Sequence, residues 1–298
     1  MIFFTTLAGA AQGLLLALVG IEFAGVAASQ ALYIVGTFIV LVLSAIGLAC
    51  ATLHLGHPLR AWRAVAMWRT SWLSREVIVL PVFMFSVALW GFGHWTLAPK
   101  PWLGIVASLL AIVLYVCTGM IYGAVKAIRE WAHPITPTNY LVLGLASGLV
   151  LAAALAAALA PALAGPLAQV ALGATLLGAA TRGLALRRNL TLAPKTTLQS
   201  AIGVRHPRIE QKSQGAMGGS FNTREFFHQR TLSFVRRMRW TAAVLGFVLP
   251  VAGLAAGARS PLALLALFLL QYLGLLAERW SFFAEGQHPQ NLYYRSIS

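Results

Sequence analysis

The chain has 298 residues, of which 59% are hydrophobic and only 10% are charged. Globular domains carry about 25% charged residues, so a soluble protein of this size is excluded, because it could not cover its surface with so few charges. The net charge of +15 would suit a nucleic-acid-binding protein. The distribution of this charge does not suit such a protein, because the cations are confined to the loops between long apolar stretches. We therefore predict an integral membrane protein that binds no nucleic acid.

Apolar stretches of about 20 residues recur along the chain, each long enough to cross a hydrocarbon core about 30 Å thick. We predict an all-α, polytopic transmembrane bundle of about eight helices that forms one membrane domain over residues 1–298. The segment Met1–Thr6 has no basic residue, so the first helix is expected to be a retained span rather than a signal peptide. The predicted spans are 5–27, 32–53, 76–95, 102–125, 137–160, 167–186, 240–258 and 262–283.

The basic residues are distributed unequally between the two sides of the predicted bundle. The turns near 28–31, 96–101, 161–166 and 259–261 share one side and contain only Lys100 and Arg259. The remaining Lys and Arg residues belong to the other side. Cytoplasmic loops carry the excess of positive charge, so that side is predicted to be cytoplasmic, together with both termini.

Three cytoplasmic segments are expected to contact lipid or a partner. Residues 54–75 form an interfacial loop in which tryptophans such as Trp62 alternate with arginines, a mixture typical of the membrane–water boundary. Residues 187–239 form a basic loop, and residues 284–298 a polar tail that keeps apolar side chains. We interpret the loop and the tail as a docking surface, although a solvated tail with lipid-facing aromatics remains an alternative. The candidate docking residues are Arg236, Arg237, Tyr293 and Tyr294.

The sequence predicts no metal centre in this chain. Cys50 and Cys117 lie in separate apolar spans, and no Cys/His ligand spacing occurs, so neither an iron–sulfur cluster nor a zinc site is expected. A transmembrane b-type haem needs two histidines that face each other inside the bundle, and we identify no such pair. Among the acidic residues, Glu22 is the one well inside an apolar run, where it must be neutral, paired or hydrated. It is a candidate for ligand contact or proton relay, or else forms a hydrogen bond between helices, with Gln12 as the candidate partner.

The first cytoplasmic loop brings together residue types that suit quinone chemistry. His54 closes the second helix, Arg60 follows it, and Glu76 opens the third helix, so all three are expected at one membrane depth. Histidine and glutamate can exchange protons, and arginine can stabilise negative charge on a ring oxygen. His57, one short turn from His54, is a further candidate. A structural interpretation stays open, since helix-end histidines, snorkelling arginines and N-terminal glutamates are common.

The segment LHLGHPLRA at residues 53–61, followed by LSRE at 73–76, resembles the signature of the dimethyl sulfoxide reductase anchor-subunit family. The eight-helix layout, with Arg279 and Phe282 in the last helix, agrees with that family. The resemblance implies a bacterial inner-membrane subunit without a redox metal of its own. It also implies a partner with four iron–sulfur clusters and a molybdopterin catalytic subunit. The positions that match the family's site for ubiquinone or menaquinone are His54, Gly56, Arg60 and Glu76; Trp62, His57, Gln12 and Glu22 are additional candidates.

His57 and the insertion at 187–239 look like the branch of this family found in the cytoplasmic membrane-bound sulfite dehydrogenase. The segments FNTREFF at 221–227 and AERWSFFAE at 277–285 look like the same branch. This resemblance implies that electrons from sulfite reach quinone through soluble subunits docked on the cytoplasmic face. Two alternatives stay open: a quinol-oxidising anchor of a dimethyl sulfoxide reductase-type complex, and a secondary transporter, which would show inverted repeats or broken helices with intramembrane charges.

Overall fold

The computed structural model describes residues 1–53, 56–193, 197–210 and 231–288, and within these ranges the chain is helical without strands. Eight helical segments in this part of the chain are long and apolar enough to span a membrane, which confirms the predicted all-α transmembrane architecture. His54, the segment 221–227, Tyr293 and Tyr294 lie outside the described residues. The helices are α1 (Ile2–Phe23), α2 (Gln30–Leu53), α3 (Trp72–Trp95), α4 (Pro101–Gly123), α5 (Ile135–Leu159), α6 (Ala164–Leu190), α7 (Leu198–Ile202), α8 (Leu232–Ala243), α9 (Leu249–Ala255) and α10 (Pro261–Ala284).

Two boundaries differ from the prediction in ways that concern the site. The third span begins at Trp72 rather than at 76, because the Ser71 side chain caps it by accepting a hydrogen bond from the Ser74 backbone N–H. Glu76 therefore lies in the second turn of α3 instead of opening it. The seventh span begins with α8 and continues through a π-helical turn, Val244–Val248, into α9. Consequently Arg236 and Arg237 lie on a helix and not in a loop.

The His–Pro step before α5 acts as a helix start. The Nδ1 atom of His133 accepts a hydrogen bond from the Ile135 backbone N–H at 3.1 Å. Partial burial, together with the nearby charge of Arg188, lowers the pKa of His133. A neutral imidazole is the form that can accept this bond, so the lowered pKa favours the cap.

The core is built around α1, which packs against α2, α4, α5 and α10. The helices α1 and α5 approach each other closely, and a side chain on Gly148 would place its Cβ 2.3 Å from the backbone carbon of Gly13. Alanines of α1 such as Ala10 and Ala11 are fully buried as well. Membrane helices associate through such small residues, because lipid gives no hydrophobic driving force between them.

The alternating spans separate the two ends of the bundle. We call the end formed by residues 56–71, 124–134 and 285–288 the basic end, and the end formed by residues 24–29, 96–100 and 256–260 the opposite end. Lys100 and Arg259 belong to the opposite end. The unequal distribution of basic residues that the sequence predicts is therefore also found between the two ends of the described structure. Arg182 and Arg279 are exceptions to a purely peripheral charge distribution, because both are buried inside spans.

Candidate functional site

Glu76 is a buried carboxyl group near the basic end of the bundle. It is 5% exposed and accepts a hydrogen bond from the hydroxyl of Thr118 on α4. Among the described residues no cation forms an ion pair with Glu76, so this part of the chain does not neutralise its charge directly. A carboxyl group without a counter-ion at membrane depth is costly when ionised. Glu76 is therefore suited to hold a proton and to exchange it with a ligand.

The exposed half of the site is the segment between α2 and α3. Pro58–Met67 forms a 3-10 helix. In its first turn the Arg60 backbone N–H donates a hydrogen bond to the His57 carbonyl at 3.0 Å. Gly56, His57, Arg60 and Trp62 are all exposed. A side chain at Gly56 would meet no atom within 4 Å, so crowding within the described chain does not require glycine there. The structure thus places Glu76 in the interior and these four residues on the surface.

Arg60 is an exposed cation in the segment between α2 and α3. In the described ranges its guanidinium forms no ion pair with a carboxylate, whereas Arg75 donates from Nε to the Trp68 carbonyl at 3.0 Å. Arg63, Arg69 and Arg75 each lie over the face of a neighbouring tryptophan, at 4.2–5.6 Å from the ring centroid. This segment therefore combines cations and aromatic rings at the edge of the bundle. Such a surface suits the boundary between lipid and water.

An aromatic cluster lies at the basic end of the bundle. The rings of Tyr122 and Tyr140 are stacked with centroids 5.7 Å apart, and Trp131, Phe282 and Phe283 pack around Tyr122. The Trp131 indole also donates a hydrogen bond to the Phe282 carbonyl at 2.9 Å. This cluster joins α4, α5 and α10 through packed aromatic rings.

Glu22 and Gln12 do not interact with each other, so the suggested hydrogen bond between them is wrong. The Glu22 carboxylate accepts a hydrogen bond from the Trp90 indole at 2.9 Å and lies 3.3 Å from the His94 imidazole. Tyr33 stacks on His94 at 4.3 Å. Gln12 is buried nearer the middle of α1, and its Oε1 atom has no partner among the described residues. Glu22 belongs to the opposite end of the bundle from Glu76.

A buried ion network was not anticipated from the sequence. The Arg182 Nε atom on α6 lies 2.9 Å from a Glu278 oxygen on α10, and its Nη2 atom lies 3.6 Å from Glu285. Arg239 on α8 contacts Glu285 at 2.8 Å. The sequence predicts Arg182 among the cytoplasmic cations. It predicts Glu22 as the one carboxylate deep in a span. Glu278 and Glu285 are seven residues apart, a spacing that places both on one helix face. This spacing is the feature of the sequence from which the network could have been predicted.

The described residues contain no group of three or more His, Cys, Asp or Glu side chains that could hold a metal ion. Cys50 and Cys117 are free thiols in different helices.

Two comparisons relate this arrangement to known proteins. Residues 1–204 match the family described as the DMSO reductase anchor subunit. The whole chain is 47% identical to a sulfite dehydrogenase subunit of Allochromatium vinosum, and the similarity covers 98% of that protein. The family match includes the first six spans with Gly56, Arg60 and Glu76, while the full-length similarity also includes α8, α9 and α10.

Proposed function

Because this chain belongs to the DMSO reductase anchor subunit family, we propose that it is the quinone-reactive membrane subunit of a molybdopterin iron–sulfur oxidoreductase. The full-length similarity to a protein named as part of a sulfite dehydrogenase supports sulfite as the electron donor. In this proposal sulfite is oxidised in a partner subunit. The electrons pass through that complex's iron–sulfur clusters to ubiquinone or menaquinone in the membrane.

The observation that carries the proposal is the buried Glu76 carboxyl in the second turn of the helix that follows an exposed cationic segment, within the part of the chain that matches the family. Reduction of a quinone to a quinol takes two electrons and two protons. The electrons come from the partner, and the protons must come through side chains that can release them, for which we propose Glu76 and His54. Arg60 would stabilise negative charge on a ring oxygen before the proton arrives. Gly56 would let the ring approach the backbone.

The same residues would serve a quinol-oxidising anchor, in which the protons leave through Glu76 and His54. The transporter alternative finds less support. Among the described spans the seventh departs from a continuous α-helix, but only by one π-helical turn, whereas transporter sites use discontinuous helices. An absorption spectrum of the purified chain would test the expectation that it holds no b-type haem. The anchor is the function that best uses both the buried carboxyl and the exposed cations.

We propose that the basic end faces the bacterial cytoplasm and that both termini and the soluble subunits lie there. The positive-inside rule supports this orientation. The docking surface includes α8, on which Val235 is buried while Arg236 and Arg237 are exposed. The contacts that hold this helix include the edge-to-face packing of Phe234 on Trp280 of α10 at 5.3 Å and the ion pair of Arg239 with Glu285, just past the end of α10. Tyr293 and Tyr294 in the tail would extend the surface.

The experiment is purification of the tagged chain from mild detergent, with measurement of the molybdenum and iron that accompany it. The wild-type chain is expected to bring both partner subunits. The Arg236→Glu/Arg237→Glu variant is expected to lower their yield about tenfold or more, because reversed charges repel an acidic partner surface.

The control is Lys100→Glu/Arg259→Glu, which reverses two exposed cations at the opposite end and should keep the partners. Full copurification with the α8 variant would contradict the docking proposal. A wild-type chain that purifies without molybdenum and iron would overturn the proposed function itself.

A further inference from the structure

The segment between α2 and α3 exposes large apolar side chains at the basic end. Leu59 is 94% exposed, Trp62 is 70% exposed and Met67 is 61% exposed. Ala61 and Ala64 are half-buried and lie three residues apart, which is one turn of a 3-10 helix, so they form its inner face. Apolar surface of this kind marks a contact with a membrane or with another molecule.

The position of the segment in the fold favours contact with lipid. It packs on α2 and α3, whereas α8, which carries the proposed docking arginines, packs on α10. Phe38 of α2 and Phe85 of α3 are exposed within their spans, so both helices present apolar side chains to the acyl chains. A segment that joins the ends of two such helices lies at the depth of the lipid headgroups.

The same segment carries positive charge without acidic residues. Residues 54–75 contain four arginines and neither Asp nor Glu. The guanidinium of Arg63 lies over the Trp62 ring at 5.6 Å from its centroid, and that of Arg69 over the Trp68 ring at 5.5 Å. The ion pairs found among the described residues involve other cations. A guanidinium that lies over a ring keeps N–H donors in its own plane, and these suit phosphate oxygens.

Arg75 holds the turn that carries one of these arginine–tryptophan pairs. Its Nε atom donates a hydrogen bond to the Trp68 carbonyl at 3.0 Å, and its Nη2 atom donates one to the Arg69 carbonyl at 2.9 Å. The Ser71 backbone N–H also donates to the Met67 carbonyl at 2.9 Å. The backbone at Trp68 and Arg69 is therefore fixed against the start of α3, which lowers the entropy lost when a ligand binds there.

We propose that Arg63 and Arg69 bind the headgroup phosphate of an anionic phospholipid, with the Trp62 and Trp68 rings at the level of its glycerol backbone. This inference goes beyond the proposed function and does not depend on it. Two positive charges favour a lipid of net negative charge, such as phosphatidylglycerol, over phosphatidylcholine, whose own cation balances its phosphate. A lipid matches both parts of the segment, because its phosphate meets the arginines and its acyl chains meet the exposed apolar side chains.

The test is relipidation of the detergent-purified full chain with equal amounts of phosphatidylglycerol and phosphatidylcholine, followed by repurification and measurement of both retained lipids. The wild-type chain is expected to retain about tenfold more phosphatidylglycerol, and Arg63→Gln/Arg69→Gln less than about twofold more, because each cation near the headgroups contributes about fivefold. Trp68→Leu keeps both charges and should lower the preference about threefold. Salt at about 0.5 M should weaken the wild-type preference by screening.

The matched control is Lys126→Gln/Arg187→Gln, which removes two exposed cations, one at the basic end and one in the last turn of α6. This variant should keep the wild-type preference. Equal retention of the two lipids by the wild-type chain would overturn the proposal, and so would a wild-type preference in Arg63→Gln/Arg69→Gln. If that variant cannot be purified, Arg63→Gln and Arg69→Gln are judged singly by the same criterion. An unchanged lipid preference with loss of copurifying molybdenum and iron would assign the segment to a protein partner and overturn the proposal.

Discussion

Replacement of Glu76 by Gln is expected to slow quinone turnover by about 10²- to 10⁴-fold, the range typical of a lost general acid or base. The amide keeps the size of the carboxyl group and can still accept the hydrogen bond from Thr118, but it cannot release a proton. Sulfite oxidation with an artificial acceptor should persist, because that reaction bypasses the membrane site. The two activities are compared in one preparation of the purified complex.

Glu130→Gln is the matched control. Glu130 is another carboxylate of the basic end, and it is partly exposed, with one oxygen accepting a hydrogen bond from the Gln287 backbone N–H at 3.3 Å. Its replacement should leave both activities at the wild-type level. The assignment of proton exchange to Glu76 would fall if Glu76→Gln reduced quinone as fast as wild type.

Replacement of Arg182 by Met is expected to destabilise the helix bundle by about 3–5 kcal/mol, the usual result of removing one partner from a buried ion pair. Arg182 is 5% exposed, and its contacts to Glu278 and Glu285 link α6 to α10. Methionine fills similar space, so the loss measures the uncompensated carboxylates rather than a cavity. The free energy of unfolding is measured by denaturation of the detergent-purified chain.

Arg187→Met provides the comparison on the same helix. Arg187 is exposed in the last turn of α6, so its replacement should change the free energy of unfolding by no more than about 0.5 kcal/mol. Equal stabilities of the two variants would show that the buried network contributes little to holding α6 against α10.

The spans could be predicted from sequence because length and hydropathy alone decide which segments cross a membrane. Their ends could not, because they depend on local hydrogen bonds and on packing. Ser71 extends α3 by one turn, which moves Glu76 from the helix start into the interior. The seventh span begins eight residues before the predicted position because Val235 packs inward, although arginines follow it directly.

The candidate site, too, could be predicted only in part. The motif around Gly56, Arg60 and Glu76 was recognisable because its residues are close in sequence. Contacts between distant helices carry no such signal. The hydrogen-bond partner of Glu22 was misassigned, because helix packing brings Trp90 to it from 68 positions away. Arg182 gave no indication of its partner, since helix packing brings Glu278 of α10 to it.

The most direct test of the central claim is sulfite-dependent reduction of a short-chain quinone by the purified complex, for wild type and for His54→Ala. We expect the wild-type complex to reduce the quinone and His54→Ala to lose most of this activity, while both oxidise sulfite equally well with an artificial acceptor. Wild-type quinone reduction by the His54→Ala complex would contradict the proposed site. A complex that oxidises sulfite but passes no electrons to quinone would contradict the proposal that this chain is a quinone-reactive anchor.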